Sequence, residues 1–115
     1  MSQPDVHQKF LAAIESAYQV LDNNFDDLYA ACHSGAEKSQ LRTLHAAARD
    51  AYWRGVATRL CDDNSVVRAV YDDLNRANQE LRDSLRDLQH LSAVIVLATQ
   101  AVRLAASLVT LATVG

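Results

Sequence analysis

Between Ser65 and Val114 the chain has neither glycine nor proline, and its apolar residues recur there at strict steps of three and four. One column holds Val67, Leu74, Leu81, Leu88, Ile95, Val102 and Val109. Its companion holds Val70, Ala77, Ser84, Leu91, Ala98, Ala105 and Ala112. This is heptad spacing, with large side chains in one column and mostly small ones in the other, so a partner helix can approach closely. The spacing predicts one unbroken helix over 65–114, about 75 Å long at 1.5 Å per residue.

The two halves of that stretch differ in what they must hide. From Tyr71 to Gln89 the outer faces carry Asp72, Asp73, Arg76, Glu80, Arg82, Asp83, Arg86 and Asp87, whereas the apolar segment 91–115 has one charge, Arg103. A second apolar seam appears there, made of Val94, Leu97, Ala101, Leu104, Leu108 and Leu111. The polar residues Thr99, Gln100, Arg103, Ser107, Thr110 and Thr113 are confined to one arc. The charged half therefore needs one packing partner and the apolar half at least two.

Two shorter helices are expected upstream. Val6, Phe10, Ile14, Ala17, Leu21, Phe25, Leu28 and Cys32 form one helical face over about 4–33. Ser34 and Glu37 have capping-box spacing and open a second helix over about 36–60, with Leu41, Leu44, Ala48, Ala51 and Gly55 on its seam. The segment 61–65, "CDDNS", offers Asp62, Asp63, Asn64 and Ser65 as caps for the third helix. No stretch alternates as a strand would. The fold expected is all-α in a single domain over 1–115, a helical hairpin plus one long C-terminal helix, coiled-coil or bundle-like.

A span of about 20 apolar residues is long enough to cross a bilayer. Arg103 at its centre costs roughly 2.5–3.5 kcal/mol on insertion scales, which the leucines, isoleucine and valines offset at about 0.3–0.6 kcal/mol each, so a lone lipid-bathed span is disfavoured. A protein cover is the simpler expectation, either a second copy or another helical protein. The expected interface comprises Leu88, Leu91, Ile95, Ala98, Val102, Ala105, Val109 and Ala112 with Leu97, Leu104, Leu108 and Leu111, and Trp53 as an interface aromatic. The alternative is insertion as an oligomer, with Gln100, Arg103, Ser107 and Thr110 lining a water-filled pore.

Catalytic chemistry finds little footing. Asp87 and His90 stand at a spacing seen in carboxylate-bridged metal sites, but the pair has no second copy. The doublets Asp26–Asp27, Asp62–Asp63 and Asp72–Asp73 point their neighbours to different helix faces. Cys32 and Cys61 close successive helices and should lie too far apart to bridge. The net charge is −3 with acidic and basic residues interleaved, which argues against nucleic acid. The polar N-terminus lacks the apolar core of an export signal, so a cytoplasmic setting is expected, with membrane association as the alternative. The excess of arginine over lysine, with abundant alanine, hints at a GC-rich bacterial genome. Trp53, Arg54 and Gly55 form a W-x-G tripeptide that resembles the signature of small helical hairpins exported by type VII secretion. Those proteins carry it in the turn between two helices, whereas here it falls within the second helix. The expectation is a small non-enzymatic interaction or assembly protein (adaptor, immunity-type or structural subunit) that self-associates through its C-terminal helix. No catalytic residue, metal, cofactor or small-molecule substrate is expected.

Overall fold

The computed structural model describes residues 6–113. These form α1 (Val6–Asn23), α2 (Phe25–Ala31), α3 (Gly35–Ala57), α4 (Ser65–Ser84) and α5 (Leu91–Ala112), with a single 3₁₀ turn at Leu88–His90 leading into α5. The all-α, bundle-like architecture stands, and it includes a long apolar C-terminal helix. The start expected at residue 4 and the end expected at 114 lie outside the described residues.

The span 65–114 is not one helix. It is interrupted after Ser84, and α5 folds back along α4. The molecule is accordingly 49 Å along its longest axis, too short for a continuous helix of about 75 Å. Magnitudes explain the outcome. Interrupting a helix forfeits about four backbone hydrogen bonds, each worth roughly 0.5–1.5 kcal/mol net. Folding back covers Val94, Ala101 and Leu108 almost completely. Each fully buried valine or leucine returns about 1.5–3 kcal/mol. Local polar groups stabilise the break. Ser84 Oγ donates to the Leu81 carbonyl at 2.7 Å, and the Asp87 carboxylate accepts from the Gln89 amide at 3.1 Å, capping the 3₁₀ turn.

The other boundaries follow capping chemistry. The first helical stretch breaks at Asn24, whose side-chain amide donates to the Val20 carbonyl at 2.7 Å and competes with continuation of the helix. Ser34 caps α3 by accepting from the Glu37 amide at 3.1 Å, while Glu37 accepts from the His33 amide at 2.6 Å. Asn64 caps α4, accepting from both Val66 and Val67 at 3.0 Å. The second helix ends at Ala57 rather than 60, because Leu60 pairs in an isolated antiparallel bridge with Thr113.

Cross-helix contacts give the directions. Phe10 meets Tyr71, Ala13 meets Asn78 and Ser16 meets Arg82, so α1 and α4 run parallel. Asp22 meets His45 and Tyr18 meets Tyr52, so α1 and α3 are antiparallel. Helix α5 packs against α1, α3 and α4 together, as the core helix of the bundle. Its inward alanines Ala98, Ala101, Ala105 and Ala112 are at most 1% exposed, where large side chains would hold the helices apart.

Candidate interaction surface

The residues expected to meet a partner through α5 are placed inside the chain. Leu91, Ile95, Ala98, Val102, Ala105, Val109, Ala112 and Leu108 are buried in the core, and Leu88, Leu97 and Leu104 are half-buried against it. Only Leu111 of that set is exposed. Of the second seam, Val94, Ala101 and Leu108 are buried and Leu97 and Leu104 half-buried within the chain, where α5 packs against α1, α3 and α4. The polar stripe faces outward: Gln100, Arg103, Ser107 and Thr110 are all exposed. Gln100 and Arg103 border a shallow groove between α5 and α4, opposite Asp73, Arg76, Ala77 and Glu80. The helical span Leu88–Ala112 has the length and composition of a membrane span, and equally those of a buried core helix.

The sites of possible chemistry are dispersed. His90 Nδ1 lies 2.8 Å from Asp87 Oδ2, an exposed pair at the α4–α5 joint, and this hydrogen bond together with the Gln89 amide holds the Asp87 carboxyl below its ordinary range. Asp63 pairs with Arg68, and Asp73 pairs with Arg76. Among the described residues no three His, Cys, Asp or Glu side chains gather as metal ligands would. Cys32 follows α2 and Cys61 follows α3, so roughly the 34 Å length of α3 separates them. Burial, and then the nearby Glu37 carboxylate, push the Cys32 thiol upward, the reverse of what activates a nucleophile.

The concentration of unusual side chains lies instead on the outer rim of the α1–α3 seam. Six rings form a continuous row. Trp53 meets Tyr52 edge-on at 5.2 Å, Tyr52 stacks on Tyr18 at 5.7 Å, and Tyr18 faces His45 at 5.8 Å. His45 packs on Phe25 at 4.8 Å, and Phe25 stacks on Tyr29 at 5.7 Å. Lys38 and Arg42 lie over the Tyr29 ring at 5.2 and 5.8 Å. Polar contacts fix the row from the α1 side. His45 Nε2 is 2.9 Å from Asp22 Oδ1, and a hydrogen bond from the Tyr52 hydroxyl to Glu15 raises that phenol above its usual range. The row ends in open solvent, with Trp53 54% and neighbouring Val56 43% exposed.

The W-x-G tripeptide lies within α3, one residue pair before its end, and not in a turn. Gly55 has a packing role there: a Cβ on it would stand 3.0 Å from Leu11 Cδ1. Trp53 had been expected at an interface. The rest of the row escaped the sequence because its members are split between α1, α2 and α3. A basic stretch was also missed. From Gly35 to Arg59 there are five basic residues (Lys38, Arg42, Arg49, Arg54, Arg59) against two acidic ones (Glu37, Asp50), a net +3 on a chain of net −3. Summing charge helix by helix would have revealed it.

The chain matches no family model, no curated protein and no solved structure.

Proposed function

We propose that this chain is a small, non-enzymatic protein–protein interaction module, of the adaptor or assembly type, whose docking surface is the outer rim of the α1–α3 seam. The observation that carries this reading is the exposure of Trp53 and Val56 at the end of a fixed row of rings. Exposed tryptophan, tyrosine and arginine on a pre-organised surface are the side chains that dominate measured binding energies. The row is held by packing and by the Asp22 and Glu15 contacts, so little side-chain freedom remains to be lost on docking. An unlike partner fits better than a second copy. Symmetric pairing about a two-fold axis across this stripe would lay the cationic end of one α3 against the apolar end of the other, which gives those charges no carboxylate partner.

The test is a photo-reactive amino acid placed at position 53 in cells that make the protein, with position 72 on the exposed face of α4 as the control. A discrete crosslinked protein from position 53 and none from position 72 is the expected result. Equal labelling from both, or from neither, overturns the reading.

A second reading, entry into membranes, rests on the apolar span Leu88–Ala112. In that case the α4–α5 hairpin would open and expose the seam it now covers. Flotation with liposomes separates the two: an interaction module stays in the aqueous fraction, whereas an inserting protein rises with lipid.

A further inference from the structure

The rim has a chemical polarity that narrows its partner, an inference resting on the interaction reading above. Along α3, Lys38, Arg42, His45, Arg49, Trp53 and Val56 follow one another at steps of four, three, four, four and three, so they share one stripe of the helix surface. The stripe is about 27 Å long, from the helix rise over its 18 residue steps. Its first part is cationic and its last part apolar. Arg42, Arg49, Trp53 and Val56 are exposed, and Lys38 and His45 half-exposed. Among the described residues, none of Lys38, Arg42 and Arg49 pairs with a carboxylate, although Arg54, off the stripe, is paired to Asp50 at 3.1 Å. Lys38 and Arg42 rest on a ring instead, which leaves their charge available. The ground around the stripe is of opposite sign: α1 and α2 together hold Glu15, Asp22, Asp26 and Asp27 against one lysine, Lys9.

These features favour one class of occupant. A nucleic acid strand carries charge along its whole length and would meet the acids of α1 and α2 as it left the three cations. A flat anionic membrane would press against the same acids. An isolated helix about five turns long fits the dimensions, with acidic residues toward one end and large apolar residues toward the other. We propose that the α3 stripe binds an acidic amphipathic helix of a partner protein, its carboxylates over Lys38, Arg42 and Arg49 and its apolar anchors against Trp53 and Val56.

Trp53 is the chain's single tryptophan, so its fluorescence reports the site directly. The full chain is titrated with a synthetic peptide of about 18 residues carrying glutamates in its helical first half and leucines at i, i+3 and i+4 in its second, a length set by the helix rise. Parallel titrations use a scrambled peptide of the same composition, a polythymidine oligonucleotide and phosphatidylserine vesicles. The expected result is a saturable blue shift with the patterned peptide, weakened by salt and at least about tenfold weaker with the scramble. The variant Arg42→Glu with Arg49→Glu, both exposed, should melt like the parent and bind at least about tenfold more weakly. Should the double variant fail to fold, Arg49→Glu alone and the salt dependence of the wild type carry the same comparison. Equal response to the scramble, or tighter binding of the oligonucleotide or vesicles, overturns the proposal. So does the lack of any shift. If the peptide fails while a crosslinker at position 53 still captures a protein, the acidic class is wrong and the interaction reading survives. If both fail, both are wrong.

Discussion

Asn78 and Ala13, 65 positions apart, are joined across the α1–α4 contact by a 3.0 Å hydrogen bond from the Asn78 side-chain amide to the Ala13 carbonyl. Asn78 is the buried polar residue of the core, at 1% exposure, and among the described residues its Oδ1 has no hydrogen-bond partner. The bond contributes about 0.5–1.5 kcal/mol, while an unsatisfied buried acceptor costs about 1–3 kcal/mol. Asn78→Leu should therefore raise stability by roughly 1 kcal/mol in denaturant unfolding. A loss of that size would show that the Asn78–Ala13 bond outweighs the unpaired oxygen.

Gly55 lies where α3 packs against α1. An added Cβ would lie 3.0 Å from Leu11 Cδ1, 3.6 Å from Leu60 Cδ1 and 3.7 Å from Ile14 Cδ1. Leu11 is half-buried and can yield, and alanine gains about 1 kcal/mol of helix propensity, so Gly55→Ala should lie within about 1 kcal/mol of the parent. Gly55→Leu should lose about 1–3 kcal/mol by overpacking. Thermal melts of the two variants check the contrast, and equal melting would place the helices farther apart.

Ala98 and Ala105 each face the interior of the bundle at 1% exposure. Leucine at either position should cost on the order of 1–3 kcal/mol. Two variants that melt like the parent would mean that α5 presents a different face to the core.

The α4–α5 joint should be sensitive to acid. The hydrogen bond from His90, followed by that from the Gln89 amide, holds the Asp87 carboxyl below its ordinary 3.8. A depressed carboxylate contributes stability above its unfolded-state value and loses it as pH falls through the folded one. A proton titration by NMR should give Asp87 a midpoint below 3.8, with the Gln89 amide resonance moving in step. A midpoint at or above that value would mean that the cap is not formed in solution.

The class of fold was legible because periodicity of 3.6 survives in the long helices; the cap at Ser34 was marked by its capping-box spacing, while Asn64 was one of four cap candidates in 61–65. The break after Ser84 was not legible. The heptad columns run through it without a slip, and neither glycine nor proline marks it. What decides it is the apolar demand of Val94, Ala101 and Leu108, which is met when α5 folds back along α4. That is a tertiary effect overriding a local pattern. Trp53 stood out in the sequence, but its ring partners did not. Tyr18, Phe25 and His45 come from separate helices, and their meeting depends on the antiparallel register of α1 and α3.

The proposed function lies on the α3 rim, while α5 serves as the core. It is tested most directly by comparing partner recovery with tagged wild type, Trp53→Ser and Val96→Ser, each checked by its melting curve. Trp53 and Val96 are similarly exposed, at 54% and 56%, on α3 and α5 respectively, so both replacements should leave the fold intact. Trp53→Ser should lose the partner recovered by wild type, while Val96→Ser retains it. Retention by Trp53→Ser together with loss by Val96→Ser would move the binding surface to α5 and contradict the placement on α3.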